Sequence, residues 1–219
     1  QDMLLGTINF EGESELPNLA LFDIQYDQNE GVNEIIKSNG LEVIQNVPIV
    51  TMRIQSIKNR EVAAILEDTN RVARRWALNR EYRSTYRDSL VETETLDEGK
   101  FIAEVSDLSA HVPISVSLDL MEDLDVALGD SIVWDVQGIP IASYIASTRI
   151  VNWQTPQPNF FVVFPKGVLE PAPQFFATTL NTPNKDASLS IQRQIVLAYP
   201  NVSAIDVGQI VNTIRDFLD

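Results

Sequence analysis

LALFDIQY, at residues 19–26, is a mostly apolar stretch that predicts a central β-strand. Asp27 is a suitable N-cap for a helix over residues 28–38, and the Asn-Gly pair that follows is typical of a left-handed helix end. A long strand is predicted over residues 42–57, where Pro48 indicates an edge or a bend. The chain therefore opens with a predicted β-α-β unit.

The far end of the chain repeats this pattern. Residues 175–180 predict a strand, and a helix is expected from a cap at 184–186 through Ala198. A short strand over 202–206 and an amphipathic helix over 207–218 complete it. Since strand, helix and strand alternate at both ends, we expect the two ends to pack into one α/β layer.

The middle of the chain is predicted to be rich in β-structure. Residues 131–136 and 139–153 read as a hairpin that turns at Gln137-Gly138. The other predicted elements are a helix over 61–76 with a break at 68–70, a strand over 79–86, an acidic loop over 90–100, a short strand over 114–116, a helix from Ser117 or Asp119 to Leu128, and a strand over 159–164. The predicted fold class is α+β. We expect an α/β subdomain formed by residues 1–60 and 174–219, with a small β-rich subdomain inserted at 61–173.

Composition excludes several classes of function. The 219 residues contain 31 acidic and 16 basic side chains, and the net charge of −15 argues against nucleic-acid binding. Cysteine is absent from the sequence, which excludes disulfides and thiol catalysis. The sole histidine, His111, rules out a metal site with two histidine ligands and is the one possible base of a serine hydrolase triad.

Acidic residues are concentrated between positions 88 and 130. This section holds one lysine and twelve acids: Asp88, Glu92, Glu94, Asp97, Glu98, Glu104, Asp107, Asp119, Glu122, Asp123, Asp125 and Asp130. A carboxylate pair is the catalytic unit of glycosidases, and a carboxylate cluster can bind a divalent cation. The spacing matches neither, so a solvated acidic face is the favoured interpretation. We predict no catalytic, cofactor-binding or metal-binding residues.

Two further clusters stand out. The basic residues Arg71, Arg74, Arg75, Arg80, Arg83 and Arg87 lie just before the acidic section. They form either a patch for anions or lipid head groups, or ion pairs with the acids that follow, and the total charge favours pairing. The aromatic residues Trp134, Trp153, Phe160, Phe161, Phe164, Phe175 and Phe176 form either core or an apolar ligand site.

Four segments carry a resemblance to a known family. They are residues 17–25 (PNLALFDIQ) with Asp27-Gln28; residues 80–90 (REYRSTYRDSL) with Glu98-Gly99-Lys100; residues 128–138, 147–153 (STRIVNW) and 159–170 (NFFVVFPKGVLE); and residues 199–207 (YPNVSAIDV). The chain resembles an extracytoplasmic domain of an ABC transporter permease of the FtsX/MacB-like class. More narrowly, it is similar to the second such domain of ten-span, YbbP-like permeases. It departs from the family at 48–59, where a basic cluster and an Asn-Gly turn are usual.

The resemblance implies that the subdomain formed by both chain ends is porter-like. It also implies a mechanical rather than an enzymatic role, with no cofactor. A cytoplasmic ABC ATPase subunit would hydrolyse ATP, and membrane helices of the parent chain would transmit the cycle to this domain. The domain would lie on the periplasmic side of a bacterial inner membrane and work on a lipid-linked or hydrophobic cargo or a periplasmic protein. Residues 207–218 would lead into the next membrane span. The alternatives are a free-standing secreted binding module and an acidic, carboxylate-dependent hydrolase.

Overall fold

The computed structural model describes residues 16–155 and 157–208, which form strands and short helices. The strands are β1 (Leu19–Gln25), β2 (Val43–Ile57), β3 (Arg60–Glu61), β4 (Tyr82–Tyr86), β5 (Glu94–Gly99), β6 (Val112–Ser117), β7 (Ser131–Val136), β8 (Ile139–Val151), β9 (Val162–Phe164), β10 (Phe175–Leu180) and β11 (Ser203–Asp206). The helices are α1 (Asn29–Ser38), α2 (Val62–Glu67), α3 (Arg75–Asn79), α4 (Leu118–Leu124) and α5 (Lys185–Ala198). The predicted α+β class is confirmed.

Strand β2 takes part in two groups of strands. Residues 43–49 pair antiparallel with β10, and residues 50–57 pair antiparallel with β4 and β7. The strand order across the whole sheet is β11-β1-β10-β2-β4-β9-β6-β8-β5, with β3 and β7 joined at the side. The 15 residues of β2 therefore run through both halves of the molecule without a break.

Each group of strands has its own hydrophobic core. Both ends of the chain supply one of them, whose buried members are Leu19, Leu21, Ile24, Val32, Ile36, Leu180, Ile191, Ile195 and Val202. The middle of the chain supplies the other, in which Trp134, Tyr82 and Phe164 are the largest apolar side chains. A small cluster of Ile49, Phe160, Val163 and Ala177 lies between them. The boundaries predicted at 60/61 and 173/174 remain a prediction.

Several turns and helix ends that the local sequence predicts are present in the structure. Gln137 and Gly138 both have positive φ, 52° and 96°, as a tight hairpin turn requires. Asn184 caps α5 by accepting a hydrogen bond from the Ala187 amide at 2.8 Å. Gly40 ends α1 with φ at 72°. The helix predicted over 61–76 is interrupted, but the break is longer than the expected 68–70: α2 ends at Glu67, and α3 begins at Arg75 and continues to Asn79.

Other predictions need correction. The acidic loop expected over 90–100 is wrong, because residues Glu94–Gly99 form β5 and pair with β8. The helix expected to reach Leu128 ends at Leu124, where Asp125 turns left-handed with φ at 54°. The final helix predicted over 207–218 lies outside the described residues, apart from positions 207 and 208. Among the described residues, no helix combines the length and hydropathy that crossing a bilayer requires.

A buried ion pair holds the first residue of β5, Glu94, in the interior of the protein. The Glu94 carboxylate is almost fully buried and accepts hydrogen bonds from the guanidinium groups of Arg149 and Arg87. Arg149, which is fully buried, also donates from Nε to the Ser115 hydroxyl at 2.9 Å and from Nη2 to the Phe160 carbonyl at 3.1 Å. Burial lowers the pKa of Arg149 to about 10, and the Glu94 carboxylate opposes that shift. The arginine is therefore charged at neutral pH.

Replacing Glu94 with Gln should cost about 3 kcal/mol in the free energy of unfolding, because it leaves a buried guanidinium without its counter-charge. Urea denaturation of the two proteins measures this difference. The matched control is Glu98→Gln on the same strand, where an exposed side chain should change stability by less than about 0.5 kcal/mol. Equal, small effects of both substitutions would show that the buried pair does not stabilise β5.

Candidate interaction surface

The single histidine does not form a catalytic group with other residues. His111 is exposed in the loop before β6, and no hydrogen bond or ion pair to its ring occurs within the described residues. It lines an open hollow of about 650 Å³ beside Leu108, Ile139 and Val168. Ser109 lines the same hollow, but its hydroxyl donates to Asp107 at 2.6 Å and is not hydrogen-bonded to the His111 ring. The structure therefore gives no support for a Ser-His-acid triad there.

The acidic section is mostly a solvated surface. Of its twelve acids, Glu94 is buried and Asp123 and Asp130 are half-buried, while the rest are exposed. All three of the less exposed carboxylates form ion pairs: Glu94 as described above, Asp123 with Arg74 at 2.7 Å, and Asp130 with Lys58 at 3.4 Å. No cluster of three or more potential metal ligands occurs in the described parts of the chain. The arrangement therefore does not favour carboxylate chemistry.

The six clustered arginines divide into different roles. Arg74 and Arg87 pair with acids of the following section, as the charge balance predicts. Arg71 donates instead to the backbone carbonyl of Leu66 at 3.2 Å. The other three, Arg75, Arg80 and Arg83, have no carboxylate partner among the described residues. Pairing with the acidic section is thus correct for two of the six.

Arg80 lies over a group of aromatic rings. Its guanidinium carbon is 5.5 Å from the ring centroid of Trp76, 5.3 Å from that of Tyr82 and 4.9 Å from that of Phe161. The one hydrogen bond described for its guanidinium, to the backbone carbonyl of Glu81, is long at 3.5 Å. Stacking on the rings thus positions the guanidinium, while most of its N–H donors have no partner within the described residues.

Trp153 extends the aromatic group. Its ring centroid lies 4.8 Å from that of Phe161, and the ring centroid of Trp76 lies 6.0 Å from that of Phe161. The indole Nε1 of Trp153 donates to an Asp119 carboxylate oxygen at 2.7 Å, which fixes its orientation. Trp76 and Trp153 are each 40% exposed. We call Trp76, Phe161, Trp153 and Arg80 the aromatic platform.

The buried side chain of Tyr82 anchors the platform to the core. Its ring meets that of Trp134 edge-on at 5.5 Å, and its hydroxyl donates to the Ala77 carbonyl in α3 at 2.6 Å. Burial raises the pKa of the Tyr82 hydroxyl, which therefore stays a neutral donor. Since Trp134 is fully buried, the platform is the outer end of an aromatic stack that begins in the core.

Sequence reasoning identified the arginine and aromatic clusters separately and did not join them. Trp76 and Arg80 are four residues apart at the end of α3, a spacing at which side chains meet on a helix. That spacing was the one local signal. Phe161 and Trp153 come from segments about eighty residues away in the chain, and only the packing of α3 against them creates the platform.

A second hollow is open and mostly apolar. It has a volume of about 460 Å³ and is lined by Phe22, Phe160 and Phe175, with Arg83 at one side. Arg83 has its guanidinium carbon 5.8 Å from the Phe175 ring centroid. Predicted aromatic residues therefore line this hollow as well, while Trp134 and Phe164 lie in the core.

The chain is similar in sequence to a permease. It is 24% identical over 200 residues to an uncharacterised ABC transporter permease, YbbP, of Escherichia coli K12, a match that covers 91% of this chain and 23% of that protein. The chain thus spans about a quarter of the length of its curated relative. No family model matches it. The resemblance to a YbbP-like permease that the sequence motifs indicate is confirmed.

Two solved structures align with this chain over most of its length. The periplasmic region of MacB from Actinobacillus actinomycetemcomitans aligns with a TM-score of 0.48 and 9% identity, covering 94% of this chain and 97% of that one. A domain of a putative permease protein from Porphyromonas gingivalis aligns with a TM-score of 0.38 and 12% identity, covering 87% and 89%. The resemblance to a permease therefore rests on the sequence match.

The exposure of the platform tryptophans can be measured by fluorescence quenching. Trp76 and Trp153 should be open to quenchers and Trp134 should not, so Trp76→Phe with Trp153→Phe should leave emission that acrylamide scarcely reduces. Iodide should quench the wild-type protein despite its net charge of −15, because Arg80 creates a local positive potential. Arg80→Gln should lower iodide quenching and leave acrylamide quenching unchanged. Strong quenching of Trp134 alone would contradict the packing described above.

Proposed function

We propose that this chain is the extracytoplasmic domain of an ABC transporter permease that couples cytoplasmic ATP hydrolysis to conformational work outside the membrane. The match to a curated permease over 91% of the chain is the observation that carries this proposal. The work would be done on a lipid-linked or hydrophobic cargo or on a periplasmic protein. The chain itself would not be an enzyme, because a separate ABC ATPase would supply the hydrolysis.

The position of the described chain ends supports the proposal. Strand β1 pairs with β11, and Leu19 lies opposite Asp206 in that ladder. The backbone amides of Val207 and Gly208 both donate to the Asn18 carbonyl, at 2.8 and 3.2 Å. The chain therefore enters and leaves the described structure at one place. A domain carried between two neighbouring membrane helices needs this geometry.

The continuous strand β2 suits a mechanical role. A displacement that begins at the joined chain ends reaches the first core through β1 and β10, which pair with each other and, through β10, with β2. Because β2 continues into the ladders with β4 and β7, the displacement can pass to the second core without crossing a loop. The division into 1–60 with 174–219 and an inserted 61–173 is part of this proposal.

Cysteine labelling of the full-length protein tests the location. The chain has no cysteine of its own, so a single introduced thiol can be labelled selectively once any cysteines elsewhere in the full-length chain are replaced. Leu197 on α5 is 78% exposed, and Leu197→Cys should react with a membrane-impermeant maleimide in cells with a permeable outer membrane and an intact inner membrane.

The matched control is Ile191→Cys on the same helix, where the side chain is 1% exposed. This thiol should react only after denaturation, which separates location from accessibility. Labelling of Leu197→Cys only after the inner membrane is broken would place the domain in the cytoplasm and overturn the proposal. Full labelling of a soluble, secreted product of the gene would favour the free-standing binding module instead.

A further inference from the structure

We propose that the aromatic platform is a docking site for a partner protein that presents an acidic side chain flanked by apolar side chains. The platform combines three aromatic rings with one guanidinium, and the two indoles and the guanidinium are exposed on the same small surface. A partner would therefore place a carboxylate against Arg80 and apolar side chains against Trp76 and Trp153.

The guanidinium of Arg80 is prepared for a carboxylate. A planar guanidinium presents its donors as a fork that fits both oxygens of a carboxylate. The Arg80 guanidinium carbon lies 4.9–5.5 Å from three ring centroids, and the one hydrogen bond described for this guanidinium is long at 3.5 Å. The other N–H donors of Arg80 have no hydrogen-bond partner among the described residues. Because the rings already hold the Arg80 side chain in place, binding would not have to order it.

The carboxylates around Arg80 are already engaged. Glu81, its neighbour in the chain, pairs with Arg53 at 3.8 Å, and Asp123 pairs with Arg74 at 2.7 Å. Asp119 accepts the hydrogen bond from Trp153. Arg80 is therefore not neutralised by the described acids beside it, although the molecule as a whole is strongly acidic. A carboxylate supplied by a partner could therefore pair with Arg80 without displacing an ion pair of the described residues.

The aromatic half of the platform has the composition of a protein interface. Tryptophan, tyrosine and arginine are the residues that most often carry binding energy in protein complexes. Trp153 is fixed by its hydrogen bond to Asp119, and Trp76 is supported by Arg80 and Phe161. Because both indoles are ordered before binding, little side-chain entropy would be lost on docking.

Charge sets the orientation of the partner. The net charge of −15 repels an acidic surface over most of the molecule. Arg75, also without a described carboxylate partner, lies on the same short helix as Trp76. An acidic group is therefore accepted at this surface and opposed elsewhere, so one contact selects one docking direction.

Two arginines are too few to hold a strongly acidic protein on an anionic membrane.

Selection from a random peptide library tests the proposal. Peptides displayed on phage would be selected on the immobilised wild-type chain, with prior removal of those that bind Arg80→Gln. The expected consensus places Asp or Glu beside an aromatic or aliphatic residue. The selected peptide should also protect Trp76 and Trp153 from acrylamide quenching, whereas the buried Trp134 cannot report its binding.

Titration of the selected peptide against four proteins locates the contact. Relative to wild type, Arg80→Gln should weaken binding by about tenfold or more, because a charge-assisted contact is lost. Arg80→Lys should also weaken it, since lysine keeps the charge but not the planar fork. The control is Arg193→Gln on α5, which removes an exposed arginine elsewhere and should change the affinity by less than about twofold. Unchanged thermal unfolding of Arg80→Gln would show that the fold is intact.

Several outcomes would overturn the proposal. A consensus without an acidic residue, equal binding to Arg80→Gln, or no enrichment of any peptide would each contradict it. Binding of the chain to vesicles with anionic phospholipids, lost in Arg80→Gln, would assign the surface to a membrane instead. The platform would bind such a partner whether or not the chain is part of a transporter, so this selection and the cysteine labelling fail independently.

Discussion

The backbone ladder of β2 is the constraint around which the rest of the structure is arranged. Its first half pairs with β10 and its second half with β4 and β7, so one uninterrupted strand belongs to both groups of strands. The core from the chain ends and the core from the middle are each packed against part of this strand. A change of register in β2 would move side chains of both cores to the wrong face, because side chains alternate along a strand.

The buried charges of the middle section follow from that arrangement. Strand β5 is the last strand of the sheet, and its Glu94 turns inward against Arg149 and Arg87. A buried ion pair is rarely a net source of stability compared with apolar packing, but removing one partner is costly. Here the pair connects β5 and β8 with Ser115 of β6 and the Phe160 backbone. Its consequence is a specified strand where the composition suggests a loop.

The surface of the molecule is consistent with work done by contact rather than by chemistry. The less exposed carboxylates of the acidic section are paired, and the single histidine has no hydrogen-bond partner among the described residues. Exposed aromatic rings lie against an arginine. The relative identified by sequence is a permease, and the described chain ends meet at one place. These features support the proposal of a domain that is moved through its ends and acts through a surface.

Local sequence determined the parts of the fold whose signals are contained in a few neighbouring residues. Apolar runs identified β1 and β10, the pair Gln137-Gly138 identified the hairpin turn, and Asn184 identified the start of α5, because each depends on local backbone preference. The family resemblance also came from sequence alone. Only the tertiary structure decided that Glu94 is buried in a strand and that Arg80 stacks on Phe161, because both depend on partners distant in the chain. The acidic composition of residues 90–100 predicted solvation, and burial opposite Arg149 overrode it.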